Sequence, residues 1–246
     1  MSQNSNDGGK RSARERLRAE RERDRAAERR WRSLKVGAVV AGVLAVAAGV
    51  GITVAARGGD DQGSQSAKPV TVGERGAPAR LTVYEDFRCP ACAQFENSFR
   101  DTIKSLERAG KLRTEYHLVT LIDGNMGGRG SHEAANAVAC ARDKGKFGPY
   151  HDVLYRNQPR EQEDAFARTE RLIQLAGKVE GLVDPEFRSC VTSGRHDDWV
   201  KRSDEDFRKS GHQGTPTVLL NGKDVFSDSS DPLTPDGLRN LVERKS

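Results

Sequence analysis

One long apolar run dominates the N-terminal part of the chain, and short β-rich runs and helical stretches alternate after it. From Val36 to Ala56 the sequence reads VGAVVAGVLAVAAGVGITVAA, 21 residues without a charge. As a helix this run is about 31 Å long at 1.5 Å per residue, matching a hydrocarbon core of roughly 30 Å. The length predicts a transmembrane helix over 36–56. Residues 57–69 (RGGDDQGSQSAKP) carry no apolar period and read as a flexible linker. The folded body is expected over 70–246.

Within the body, Val70–Val72 is expected to start a short strand. Ala79–Phe87 (ARLTVYEDF) is β-branched and aromatic, which predicts a second strand. Pro90 to about Arg108 reads as a helix. Pro sits in its first turn, where the missing N–H costs nothing, and Phe95, Phe99, Ile103 and Leu106 recur at helical spacing. Leu112–Ile122 (LRTEYHLVTLI) predicts a third strand. Residues 131–210 look helical, with breaks near Lys144–Gly148, Asn157–Glu161, Gly177–Asp184 and Gly194. Thr217–Leu220 and Lys223–Phe226 read as a hairpin turning at Asn221-Gly222, and Thr234-Pro235-Asp236 opens a C-terminal helix. The order is βαβ, a helical insert at about 131–210, then ββα, an α/β body.

Charge alters the picture at the N-terminus. The net charge of +5 and pI near 9.1 would by themselves suggest a nucleic-acid partner. Twelve of the 41 Lys/Arg and six of the 36 Asp/Glu fall in residues 1–35, so that tail carries +6 and the remainder −1. No aromatic interleaving or nucleic-acid motif accompanies the basic block. It reads instead as a cytoplasmic, solvated tail that touches anionic lipid and fixes topology, with Trp31 at the interface. The Lys/Arg bias places the N-terminus in the cytoplasm and the body outside, as a single-pass cell-membrane protein. A cleaved Sec signal has a shorter apolar region, about 7–15 residues. A twin-arginine leader at Arg29-Arg30 is a further alternative, although no A-x-A cleavage site follows the run. Ala38/Gly42 and Ala45/Gly49 have small-xxx-small spacing, which arises readily by chance in so Ala/Gly-rich a span.

Candidate chemistry centres on Cys89-Pro90-Ala91-Cys92, where a strand is expected to end and a helix to begin. A cysteine at a helix N-terminus meets unpaired N–H groups and the positive end of the macrodipole, which favour the thiolate. The second cysteine lies one turn on, within reach of a disulfide. Cys89 is then the exposed nucleophile and Cys92 the buried resolving thiol, exchanging through a mixed disulfide. Half of a zinc site is the competing reading, but zinc needs further ligands at suitable spacing and only Cys140 and Cys190 remain. A purely structural Cys89–Cys92 bridge is another, and so short a loop constrains the unfolded chain little. Outside the cytoplasm an even cysteine count reads as disulfides, so Cys140 and Cys190 are expected to brace two insert helices; two free buried thiols are the alternative. His117, His132, His151, His196 and His212 form no metal-ligand spacing and are assigned structural or surface roles. Phe147, Tyr150, Leu154 and Tyr155 are expected to pack the insert. Gly124–Gly130 (GNMGGRG) lacks the Lys-Ser/Thr of a phosphate loop and reads as a mobile loop entering the insert. No metal or other cofactor is expected.

YEDFRCPACAQFE, followed far downstream by GTPTVLLNG, resembles DsbA-type members of the thioredoxin superfamily, in particular the membrane-anchored thiol–disulfide oxidoreductases of actinobacterial envelopes. The likeness extends over 70–246; SHEAANAVACA, GKFGPYHDVLY and DPEFRSC are similar to that group's helical insert. It implies a thioredoxin-like fold with an inserted helical subdomain, preceded here by the transmembrane helix. It also implies that Thr215-Pro216 is a cis-proline loop facing the active site, where the Thr215 backbone pairs with an extended substrate. The implied activity is oxidation of reduced secreted or envelope proteins, with re-oxidation by a quinone-linked membrane partner of the VKOR type.

Two departures leave the direction of exchange open. The strong oxidases of the group carry Pro-His between their cysteines, and here the pair is Pro90-Ala91, which lacks a cationic imidazole. Arg88 either substitutes electrostatically or points into solvent. Thr215 stands where the prototype oxidase has Val. A disulfide isomerase, a reductase fed by a membrane electron carrier, and a non-redox peptide-binding module therefore stand as alternatives. Glu85 and Asp86 read either as a proton-transfer group or as a bland strand-end pair of carboxylates.

Overall fold

The structure is a computed structural model and describes residues 66–244. The basic tail, the apolar run and most of the linker lie outside the described residues. Among the described residues, no helix is long and apolar enough to cross a membrane.

A five-stranded sheet forms the frame, in the order β1-β3-β2-β4-β5. Its strands are β1 (Val70–Val72), β2 (Ala79–Glu85), β3 (Leu112–Leu118), β4 (Thr217–Leu220) and β5 (Lys223–Asp224). Only β2 and β3 run parallel, in register Ala79 to Leu112 through Glu85 to Leu118; the other pairs are antiparallel. The parallel pair needs a crossover, and α1 (Pro90–Arg108) supplies it. The four apolar residues Phe95, Phe99, Ile103 and Leu106 of α1 are all buried. Each contributes about 2 kcal/mol of burial, so the stripe holds the helix against the sheet. At the far end, Asn221 (φ 50°) and Gly222 (φ 83°) both adopt the left-handed region, as a two-residue type I′ hairpin requires.

The two faces of β2 look at different partners. Tyr84 stacks on His117 of β3, with ring centroids 4.5 Å apart, and meets Phe207 of the last insert helix at 5.6 Å. Glu85 points the other way and meets His151 of an earlier insert helix. The central strand is thus covered on both sides, which is why Ala79–Phe87 reads as a nearly unbroken buried run.

The insert comprises α2 (Leu121–Met126), α3 (Gly130–Asp143), α4 (Phe147–Arg156), a 3₁₀ turn at Ala165–Ala167, α5 (Thr169–Ala176), α6 (Pro185–Thr192) and α7 (Asp197–Ser210). Its centre is α3, where every residue from Ala134 to Ala141 is buried. Small side chains permit this close approach on all sides. Asn136, the polar exception, spends its amide on Val191 O (3.1 Å) and its oxygen on His196 N (3.0 Å). Cys140 of α3 and Cys190 of α6 are bonded, S–S 2.07 Å, across a separation of 50 residues. The C-terminal α8 (Pro235–Glu243) packs on α1 and is capped by Thr234, whose hydroxyl accepts from Gly237 N.

Some expected boundaries move, each for a tertiary reason. The strand expected over Leu112–Ile122 stops at Leu118, and Leu121–Ile122 start α2 instead. Asp86 accepts from Ile122 N at 2.8 Å and Asp204 accepts from Thr120 N at 3.0 Å, so distant carboxylates satisfy the amides there. The strand expected to run to Phe87 ends at Glu85, where Asp86 begins the turn into α1. The Gly124–Gly130 stretch is not all loop: α2 runs to Met126, and Gly127 and Gly128 turn the chain at positive φ. The strand expected over Lys223–Phe226 is confined to Lys223–Asp224, because Asp224 turns back to accept from Phe226 N and Ser227 N. Upstream of β1, Ala67 is buried and its N–H donates to Asp206, while Lys68 O accepts from Trp199 Nε1; these last linker residues are packed on α7.

Candidate functional site

The strand-to-helix turn that carries the cysteines is built by Asp86. One of its carboxylate oxygens accepts from Arg88 N (2.7 Å) and from Ser131 Oγ (2.7 Å), the other from Ile122 N (2.8 Å). A single buried side chain thereby ties the turn to the starts of α2 and α3. Burial pushes the Asp86 carboxyl up to about 7 against the pull of these donors.

Arg88 follows neither expected course. Its guanidinium is 3% exposed and turns into the insert. There it pairs with Asp123 (2.7 Å) and Asp164 (3.2 Å) and donates to Gly127 O (2.8 Å) and Glu161 O (3.0 Å). Solvent does not reach it, and its two terminal nitrogens are committed to two carboxylates and two carbonyls. Any long-range field it exerts on Cys89 is offset by those carboxylates.

Cys89 is the N-cap residue of α1, with Pro90 in the first turn. It is not the exposed thiol expected: the residue is only 6% exposed, because its sulfur is packed against the cis-proline loop and donates to Thr215 O at 3.3 Å. Its pKa falls to about 6, chiefly through hydrogen bonding from Cys92, with Thr215 and the amides of Ala91 and Cys92 adding to the effect against the cost of burial. Cys92, one turn on, is wholly buried, and burial holds its thiol well above the ordinary value. The two sulfurs are therefore unequal: one is a ready thiolate, the other a reluctant one. Ala91 puts no polar group between them. The Thr215–Pro216 peptide is cis. Thr215 Oγ1 is buried without a partner, leaving a hydroxyl free for a thiolate at Cys89. The structure thus brings Cys89, Pro90, Ala91, Cys92, Thr215 and Pro216 together and leaves the Cys140–Cys190 bridge inside the insert.

Glu85, one of the two carboxylates the sequence offered for proton transfer, is joined by three residues that it did not assign to this site, Glu96, His151 and Gln158. Glu85 Oε1 lies 2.6 Å from His151 Nε2, and Glu96 of α1 lies 4.0 Å from His151 Nδ1. Phe87, Tyr116, Phe147 and Tyr155 pack their rings around this imidazole. Burial raises both carboxyls to about 8 and lowers the imidazole, so at neutral pH the pair is a neutral acid on a neutral ring. Donor atoms of Glu85, Glu96 and His151 lie within 4.8 Å of one another, as a three-ligand metal site would need. Glu85 and His151 already bond one another at 2.6 Å, which accounts for the cluster without an ion. Cys140, Cys190 and His196 also cluster, but both sulfurs are spent in the disulfide. The signal for Glu96 was present in the sequence, four residues after Cys92 and so on the same helical face. His151 and Gln158, whose Nε2 donates to Phe87 O and Cys89 O, come from the insert and had no local signature.

Comparison with known proteins follows the same boundaries. A family described as thioredoxin matches residues 65–244. The oxidised form of DsbA from Mycobacterium tuberculosis is 28% identical, with a TM-score of 0.61 over 72% of this chain and 91% of that one. MdbA of Actinomyces oris, titled a thiol-disulfide oxidoreductase, is 26% identical, with a TM-score of 0.60 over 73% of this chain and 93% of that one. A Bacillus cereus protein named "Probable disulfide bond formation protein D" is 23% identical over 156 residues, 62% of this chain and 69% of its own.

Proposed function

The chain belongs to the thioredoxin family and is a protein thiol–disulfide oxidoreductase; from that premise we propose that it is a membrane-tethered, extracytoplasmic oxidase that introduces disulfides into secreted or envelope proteins through Cys89 and Cys92. The observation that carries this reading is the inequality of the two thiols. A Cys89 thiol held near pKa 6 favours the reduced, thiolate form of the pair, and whatever stabilises the reduced pair makes its disulfide a better oxidant.

In the proposed cycle a substrate thiolate attacks Cys89 Sγ of the Cys89–Cys92 disulfide. The substrate–Cys89 bond forms, the Cys89–Cys92 bond breaks, and Cys92 leaves as a thiolate. Buried as it is, that thiolate takes up a proton. Glu85, still protonated at neutral pH and electrostatically coupled to Cys92, is the group suited to give it. A second substrate thiolate then attacks the substrate sulfur of the mixed disulfide and expels Cys89, whose low pKa makes it a good leaving group. The substrate has lost two electrons and two protons; one of those protons restores Glu85, and the Cys89/Cys92 pair has gained two electrons and ends as a dithiol, or as a Cys89 thiolate with the second proton released. Thr215 O, beside Cys89, offers an acceptor to an extended substrate backbone. Turnover requires a partner that re-oxidises the pair, and a quinone-linked membrane protein of the VKOR type fits a tethered donor. The tether itself is assigned to the apolar run at 36–56.

A second reading, isomerase or reductase, draws on one observation. A Cys89 pKa of about 6 lies between the roughly 3.5 of a strong oxidase and the roughly 7 of thioredoxin, in keeping with Ala91 where an imidazole would stand. The test is exchange with a reduced, unfolded secreted protein at pH 7. An oxidase gives fast disulfide formation from the oxidised chain; a pair that stays oxidised beside substrate thiols sinks the proposal.

A further inference from the structure

Cys89 is gripped from two sides. On one, its sulfur contacts Thr215 O; on the other, the amide of Gln158 donates to Phe87 O and Cys89 O, each at 2.9 Å. Both hydrogens of one NH₂ group are thus spent on two carbonyls that bracket Arg88 and Cys89. Fixing these carbonyls fixes the peptide planes before Arg88 and after Cys89. The Cys89 carbonyl is also the first acceptor of α1, receiving Ala93 N at 3.2 Å.

Gln158 sits on the excursion between α4 and the 3₁₀ turn, and that excursion is itself anchored. Glu161 O accepts from Arg88 Nη2, while Asp164 pairs with Arg88 and accepts from Arg129 N (2.9 Å) and Gly130 N (2.8 Å). Residues 158–164 therefore form a strap bonded to the cysteine turn at Phe87, Arg88 and Cys89. Gln158 is the side chain of that strap that reaches the cysteine backbone. Glutamate would turn acceptors toward two acceptors, leucine would leave both carbonyls bare on that side, and asparagine is one methylene short.

We propose that Gln158 is a positioning residue for Cys89, holding the nucleophile's backbone and drawing negative charge off the two carbonyls that bracket Arg88 and Cys89 so that the thiolate is favoured. This rests on the assignment of Cys89 as the reacting thiol. The other titratable groups that interact with that sulfur are Cys92 on α1 and Glu85 at the end of β2, and a substitution at position 158 leaves both in place.

The test is the pH dependence of Cys89 alkylation in the reduced full chain, with Cys92 silent because it is wholly enclosed and burial keeps its thiol protonated. Gln158→Leu is expected to raise the midpoint by about one pH unit and to slow alkylation below it about tenfold, the size of one good hydrogen bond. Gln158→Glu is expected to raise it further, and Arg160→Ala, on an exposed strap side chain, to leave it unchanged. A parental midpoint in both Gln158 variants overturns the proposal. Where those variants fail to fold, the unaltered chain still decides: the Gln158 side-chain amide NMR signals must shift as Cys89 titrates, and signals blind to that titration overturn it. Alkylation reads Cys89 whether or not the chain oxidises proteins, so failure of the oxidase reading remains distinguishable from failure of this one.

Discussion

The two cysteine pairs share one chain and contrast in almost every physical respect. Cys89 and Cys92 stand at the mouth of α1, where helix-end amides and Thr215 face one sulfur and burial isolates the other. Cys140 and Cys190 lie within the insert, buried among small apolar side chains and 50 residues apart in sequence. A short loop at a helix N-terminus makes a sulfur reactive and does little for the unfolded chain. A long loop across two buried helices does the reverse. Placement, more than residue type, separates a working pair from a brace.

The sharpest way to break this contrast is to remove the reactive sulfur of one pair and both sulfurs of the other. Cys89→Ser is expected to abolish exchange, by at least about a thousandfold in rate with a reduced protein substrate, because an alkoxide does not form at neutral pH. Its urea midpoint should move little. Exchange surviving in that variant would leave a peptide-binding role instead. The double change Cys140→Ser, Cys190→Ser is expected to do the opposite. Stability in urea should fall by about 4 kcal/mol, the chain-entropy value for a loop of this length, while the exchange rate of the folded fraction holds. An exchange rate that fell with it would mean that the brace also shapes the site.

A smaller effect sharpens the picture of what lies behind Cys92. Glu85 and Glu96 bind their protons more tightly folded, near 8, than unfolded, near 4.5. Below about 4.5 both states are protonated and the carboxyls contribute no pH dependence. Between 4.5 and 8 only the unfolded chain releases the protons, so stability should fall as pH rises through that window. Glu85→Gln, which keeps the shape and cannot ionise, should flatten the slope. An unchanged slope would place the ionisation elsewhere.

Much of this was legible in the sequence, and the reasons differ by region. The span of α1 was legible because proline and the apolar stripe mark it locally. The turn at Asn221-Gly222 was equally explicit. The strand that should have continued to Ile122 was misread because Asp86 and Asp204, distant in sequence, supply acceptors that start a helix there. Arg88 was read as an electrostatic group near Cys89 or as a solvent-facing one, and its burial depends on Asp123 and Asp164, which no local pattern connects to it. His151 and Gln158 carried no motif for the same reason. Contacts that cross from insert to core are written in the fold, while those within one turn are written in the chain.

The measurement that bears most directly on the central claim is the reduction potential of the Cys89–Cys92 pair, taken together with the Cys89 thiol pKa. The account predicts a thiol clearly more acidic than 7 and a potential clearly more oxidising than the roughly −270 mV of thioredoxin. A potential near −270 mV with a thiol pKa near 7 would contradict it.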